Sequence, residues 1–165
     1  MFEKAAPEHL SFTEDGPWVE YRGRHRGYER LPKPVTHERT FRLNRESGLL
    51  LIEDWLSGSG RHDLAWRFHL APGVEAAPEE GGFALSVQGE ALRLAGPDDL
   101  AGAVEDAWSS PSYGVRLPAR CLTLTAQPDV ARSPTWRFAI GPAPAVAAWR
   151  AEAHGERERA ESVVA

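Results

Sequence analysis

Apolar and polar residues alternate in short runs along most of this chain, and glycine or proline closes nearly every run. Residues 17–23 (PWVEYRG) alternate around Trp18, Val19 and Tyr21 and predict a short strand. The clearest signal follows, with strands expected over 36–44, 48–56 and 61–70, separated by turns at 45–47 and 57–60. Further strands are expected over 83–87 and 91–94 about the turn Gln88-Gly89-Glu90, and over 115–117, 121–126 and 135–140. Between them lie a surface loop at 24–34 with Gly27, Pro32 and Pro34, an acidic turn-rich segment at 75–82, and a loop at 107–114. Many short strands punctuated in this way imply an all-β fold, an antiparallel β-sandwich, over residues 17–141. Residues 1–16 read as an irregular segment, and the Ala/Glu/Arg-rich stretch 142–165 as a helical or disordered tail.

The central meander allows a register to be estimated. A turn at 44–47 sets His37 opposite Asp54, Arg39 opposite Ile52 and Phe41 opposite Leu50. A second hairpin would set Leu51 opposite Trp66 and Leu49 opposite Phe68. Alternation then gathers Leu49, Leu51, Trp55, Leu64, Trp66, Phe68 and Leu70 on one face as a core. The other face gathers His37, Arg39, Asp54, Asp63, Arg67 and His69, with Phe41, Leu50 and Ile52 among them. Such a face either offers itself to a ligand or neighbouring domain or stands solvated, with a weak His37–Asp54 cross-strand pair.

Charge sharpens this picture. Residues 22–45 hold eight basic residues against two acidic ones, although the chain as a whole carries a formal net charge of −5. Residues 75–106 hold eight acids and only Arg93 as a base. A cationic stretch of this density points to an anionic partner or to a solvated arginine face. Overall acidity speaks against a general nucleic-acid binder. Cys121 is the only cysteine, so neither an intrachain disulfide nor a cysteine zinc site can form. No apolar run reaches the ~18–20 residues of a membrane span, and the N-terminus lacks the pattern of a secretory signal.

Two constellations could carry chemistry. His25 and Tyr28, beside Arg24 and Arg26, suit removal of a proton next to a carboxylate whose charge the arginines hold. The plainer reading is an exposed His25 and a Tyr28 that anchors the loop by its ring. His37, Asp54 and His69 have the composition of a zinc centre. The estimated register places His69 roughly 20 Å along the strand from the residue opposite Asp54, which favours a structural pairing instead. No phosphate-binding glycine loop, GxSxG or HExxH motif is present. Trp108 and Tyr113 could stack on sugar rings or anchor a turn.

The ordered motifs His25-Arg-Gly-Tyr28, Pro34-Val-Thr-His37-Glu-Arg39, Leu51-Ile-Glu-Asp54, Gly60-Arg-His62, Arg67-Phe-His69-Leu-Ala-Pro72-Gly73 and Trp108-Ser-Ser-Pro-Ser-Tyr113-Gly114 together resemble the C-terminal β domain of heparinase II/III-like polysaccharide lyases. The resemblance implies a β-sandwich that works with an N-terminal α/α toroid, the active site lying between them. It implies β-elimination on a uronic-acid-containing polysaccharide such as a glycosaminoglycan or alginate. It marks His25, Tyr28 and His37 as catalytic candidates and Arg24, Arg26, Arg39 and Arg67 as substrate-binding candidates. In several members a divalent metal such as zinc sits in the β domain on two histidines and an aspartate, which suggests His37, Asp54 and His69. The toroid and the family's preceding histidine-bearing strand have no counterpart in this sequence. The expectation is therefore a lyase portion inactive by itself, from a parent that could be periplasmic or secreted, with a non-catalytic carbohydrate-binding or structural module as the alternative.

Overall fold

Eleven strands and one helix make up the fold in the computed structural model, which describes residues 6–164, with side chains to residue 155. The strands are β1 (Pro7–Asp15), β2 (Trp18–His25), β3 (Val35–Asn44), β4 (Leu50–Gly58), β5 (Leu64–His69), β6 (Glu75–Glu79), β7 (Gly82–Val87), β8 (Glu90–Ala95), β9 (Ala101–Ser109), β10 (Leu117–Ala126) and β11 (Thr135–Pro142). Helix α1 (Ala143–Val164) follows directly. One antiparallel sheet has eight strands in the order β1-β2-β3-β4-β11-β8-β7-β6, and the other has three, β5-β10-β9. The architecture is the all-β sandwich that the alternation implied, with the tail folded as a helix.

The core lies between the sheets. Phe138 on β11 is fully buried and meets Trp66 and Phe68 of β5 at ring-centroid distances of 5.5 and 5.6 Å. Trp66 also stands 4.9 Å from Trp136. Leu122 and Leu124 of β10 complete this layer with Phe83 and Leu94. On the opposite face of the large sheet, Val146 and Trp149 of α1 pack on Leu49, Ala95 and Ala139. The three-stranded sheet is too narrow to cover all eight strands. Tyr21 and Leu43 of β2 and β3 therefore remain substantially exposed.

Several expectations need correction. Residues 7–15 are a strand, not an irregular segment, and pair along β2 from Pro7↔His25 to Asp15↔Trp18. As an edge strand with Leu10 and Phe12 left exposed, β1 needs little apolar alternation, so its sequence gave little signal. Residues 75–79 form β6, and 107–109 finish β9 instead of belonging to a loop. β5 does not pair with β4. It crosses to the other sheet and pairs with β10, while β4 takes β11 as its neighbour. The glycine-rich link at 57–60 carries the chain between layers. At Gly58 a Cβ would lie 2.1 Å from the Pro34 carbonyl oxygen, so no side chain fits there.

The β3–β4 register is also two residues from the estimate: Arg39, not His37, faces Asp54, and His37 faces Leu56. The turn is longer than expected because the Asn44 side chain accepts the Glu46 and Ser47 amides at 3.0 and 2.9 Å. A shift of two keeps each strand's faces intact, yet the buried face of β4 is the reverse of the expected one. Ile52, Asp54 and Leu56 point into the sandwich and are buried, whereas Trp55 is 37% exposed on the other side. An ionisable residue at the middle of that face disguised it as polar.

Two substitutions test this arrangement. Phe138→Ala should cost about 3–5 kcal/mol in a denaturant unfolding series, because the ring joins both sheets. Gly58→Ala should also destabilise, by about 2 kcal/mol or more, since the Pro34 carbonyl must move.

Candidate functional site

A buried carboxylate forms the base of the site. The Asp54 side chain is 1% exposed in the middle of β4, where an unpaired charge would be very costly. It is fully partnered. Arg39, directly opposite on β3, donates from Nε to Oδ1 and from Nη2 to Oδ2, each at 2.6 Å. His37 Nε2 lies 2.6 Å from Oδ1, and Trp66 Nε1 donates to Oδ2 at 2.8 Å from the facing sheet. The fork of Arg39 matches the carboxylate in two parallel bonds, the strongest form of this pair.

From Asp54 the polar chain runs outward. His37 Nδ1 is 3.2 Å from His25 Nε2, and His25 Nδ1 accepts the Gly27 amide at 3.3 Å. These contacts assign the tautomers. Because His25 Nδ1 accepts, its Nε2–H donates to His37 Nδ1, and His37 Nε2–H donates to Asp54. Strand pairing sets the spacing, since His25 of β2 stands opposite His37 of β3. Tyr28 closes the outer end, its ring edge-on to His25 at 5.0 Å and about half exposed. Its backbone carbonyl accepts the Leu31 and Val35 amides, which folds the 26–34 loop back onto the start of β3.

Electrostatics follow from burial and neighbours. Burial, aided by the neighbouring His37 and the Arg39 guanidinium, pushes the His25 imidazole below its ordinary pKa, so the ring is neutral at neutral pH. Burial would raise the Asp54 pKa. The hydrogen bonds of His37 and Arg39, with the Arg39 charge, outweigh it and hold the carboxyl below its usual range.

The site opens on a groove of about 810 Å³ between the inner face of β3–β4 and strand β5. His25, Tyr28, His37 and Arg39 line it on one side, and Leu64, Trp66 and Arg67 on the other. A smaller hollow of about 300 Å³, over Tyr21, Gly23 and Arg24, shares His25, His37 and Arg39 with it.

Of the residues singled out from the sequence, the fold brings His25, Tyr28, His37, Arg39 and Asp54 into one cluster. It does not bring in His69. Alternation puts His69 with Arg67 on the face of β5 away from Trp66 and Phe68, exposed and opposite Cys121. The structure therefore does not bring His37, Asp54 and His69 together as a metal group, and no cluster of three or more His, Cys, Asp or Glu suited to a metal occurs among the described residues.

The arginines are sorted too. Arg24 and Arg26 both pair with Glu8 of β1, and the Arg24 hydrogen bond leads in holding the Glu8 carboxyl below its ordinary pKa. Arg22 pairs with Glu38, Arg42 with Glu20 and Arg45 with Glu14. Among the described residues Arg67 has no acidic partner, but alternation turns it with His69 to the outer face of β5, so it borders the groove without directing its charge into it. Sequence reasoning missed Trp66 as a ligand of Asp54 and Glu8 as a neutralising residue. A buried tryptophan's need for an N–H acceptor could have flagged the first. The second lay in a segment read as irregular.

Substitution and pH both test the network. Asp54→Asn removes the charge that Arg39 and His37 face, and should cost about 3 kcal/mol in chemical unfolding. The depressed His25 pKa means that the folded state binds this proton less tightly than the unfolded one. Its stabilisation is present above the ordinary histidine value of about 6.5 and is lost as pH falls through the folded value. Thermal melts between pH 7.5 and 5.5 should show a falling Tm, and His25→Gln should flatten that fall.

The comparisons with known proteins agree with this fold. Residues 2–139 match the family model described as "Heparinase II/III-like, C-terminal". The heparan sulfate lyase HepC from Pedobacter heparinus superposes with a TM-score of 0.72 at 13% identity, over 82% of this chain and 21% of that one. A structure described as Heparinase III gives 0.71 at 13% identity, over 86% of this chain and 22% of that one. The Heparinase III BT4657 gene product gives 0.66 at 17% identity, over 84% and 21%. The chain thus spans about a fifth of the length of these structures. Comparison with curated protein sequences gives no match.

Proposed function

The chain belongs to the heparinase II/III-like C-terminal domain family, and on that footing we propose that it is the C-terminal portion of a polysaccharide lyase, inactive without an N-terminal α/α toroid. The substrate class is a uronic-acid-containing acidic polysaccharide, and the reaction is β-elimination. The observation that carries the reading is the continuous run from the Gly27 amide through His25 and His37 to Asp54, opening beside Tyr28 on a groove.

The chemistry follows from the least tightly held lone pair of the run. His25 Nδ1 is held only by a 3.3 Å contact from the Gly27 amide, the longest in the run, so it is the position at which an incoming proton enters. When the proton next to the uronate carboxylate transfers to Nδ1, its charge is shared through His25 Nε2–H and His37 Nε2–H toward Asp54. The carbon–oxygen bond at the neighbouring carbon breaks as the double bond forms, and the departing oxygen takes a proton from the Tyr28 hydroxyl. Arg39 is committed to Asp54 and acts as a positioning residue; Arg24 and Arg26 are both tied to Glu8, and Arg24 lines the hollow beside the site.

The Tyr28 end of the groove is exposed, which supports the need for a second domain to enclose the sugar and exclude water. The test is an assay for unsaturated uronate on heparan sulfate, heparin, hyaluronan and alginate. The chain alone should be silent, and the chain joined to the toroid of its parent protein should be active. In the joined protein His25→Ala and Tyr28→Phe should each lower kcat by about 10²–10⁴. A joined protein that binds one of these polymers in a salt-sensitive manner but never cleaves it would replace this reading with a carbohydrate-binding module.

A further inference from the structure

Family resemblance raises a divalent metal at His37, Asp54 and His69, and the donor geometry in this chain speaks against it. A carboxylate has about four lone-pair positions. On Asp54 all four are spent: Oδ1 on Arg39 Nε and His37 Nε2, and Oδ2 on Arg39 Nη2 and Trp66 Nε1. His37 has no spare nitrogen, because Nδ1 meets His25 while Nε2 carries the proton given to Asp54. Zinc asks for three or four protein ligands with lone pairs directed at one point. Here His69 faces away on β5, and a guanidinium already occupies the position from which a cation would neutralise the carboxylate.

We infer that Arg39 does in this protein what a bound divalent cation would do at such a site, so that the Asp54–His37–His25 relay is metal-independent. The guanidinium supplies a positive charge that does not titrate near neutral pH, and it offers two donors in a fixed plane. Those donors hold the carboxylate where His37 Nε2–H can reach it, which fixes the His37 tautomer and, through it, that of His25. The Trp66 N–H completes the shell from the other sheet. A metal would have to displace the guanidinium, break the Trp66 contact and deprotonate His37 Nε2, all at a carboxylate that is 1% exposed.

The experiment uses the whole chain, incubated with excess Zn²⁺, Mn²⁺ or Ca²⁺, desalted, and measured for retained metal and for Tm. The expected result is far less than one equivalent retained, a Tm unchanged by chelator, and His37 and His25 ring resonances unmoved by Zn²⁺ at micromolar protein. Zinc that is retained equally by wild type and by His37→Ala resides on surface histidines and leaves the inference standing. About one equivalent of metal that raises Tm by several degrees, and is lost in both His37→Ala and Asp54→Asn, would overturn it. Because the decisive measurements are made on wild-type protein, poor folding of either variant does not blunt the test: one tightly held equivalent that shifts the His37 resonances also counts against it.

Discussion

The buried Asp54 carboxylate is the constraint on which this fold turns. It stands at the centre of the eight-stranded sheet, and its four hydrogen bonds come from three residues: Arg39 and His37 on the adjoining strand, and Trp66 on the opposing sheet. One ionised group thereby ties the register of β3 against β4 to the docking of β5. A charge with 1% exposure is tolerable only when all its lone pairs are met. Sliding β3 by two residues would separate Arg39 from Asp54, so the pair enforces the observed register more strictly than the apolar neighbours do.

The uneven widths of the two sheets turn this structural centre into a functional edge. Three strands cover part of an eight-stranded face, and the covered part is where Phe138, Trp66 and Leu122 pack. The strands β1–β3 extend beyond that cover. His25 and Tyr28 sit on the extension, while Asp54 sits under cover, and His37 and Arg39 bridge the two. A polar relay can thus begin at a dry carboxylate and end at an open groove within three adjacent strands. Burial keeps its inner end ionised and ordered, and partial exposure leaves its outer end within reach of a ligand.

Much of the secondary structure was legible in the sequence, because alternation over β3, β4, β5, β7, β8 and β11 is strong and glycine or proline marks their ends. β1, β6 and β9 were missed for one physical reason: edge strands bury little and need not alternate. The pairing of β4 with β11 could not be read, since those partners lie some 85 residues apart and a short glycine-rich link looks like a hairpin turn whether the chain pairs back or crosses layers. The candidate cluster was partly legible. His25, Tyr28, His37, Arg39 and Asp54 were singled out and do converge, but His69 was grouped with them and does not, and Trp66 was read as core alone.

By itself the sequence determined the all-β class, the alternation within each strand, the family resemblance and the concentration of arginines at residues 22–45. Only the tertiary structure decided what those arginines do. Much of the excess positive charge is met on folding, as Arg22, Arg24, Arg26, Arg39, Arg42 and Arg45 meet Glu38, Glu8, Asp54, Glu20 and Glu14 across neighbouring strands. Their partners sit on other strands, where a count along the chain cannot see them. Antiparallel pairing brings distant acids opposite local bases, and charge interactions depend on distance in space. The same reason explains the reversed face of β4: an aspartate reads as solvent-facing until a guanidinium, an imidazole and an indole from other strands are set around it.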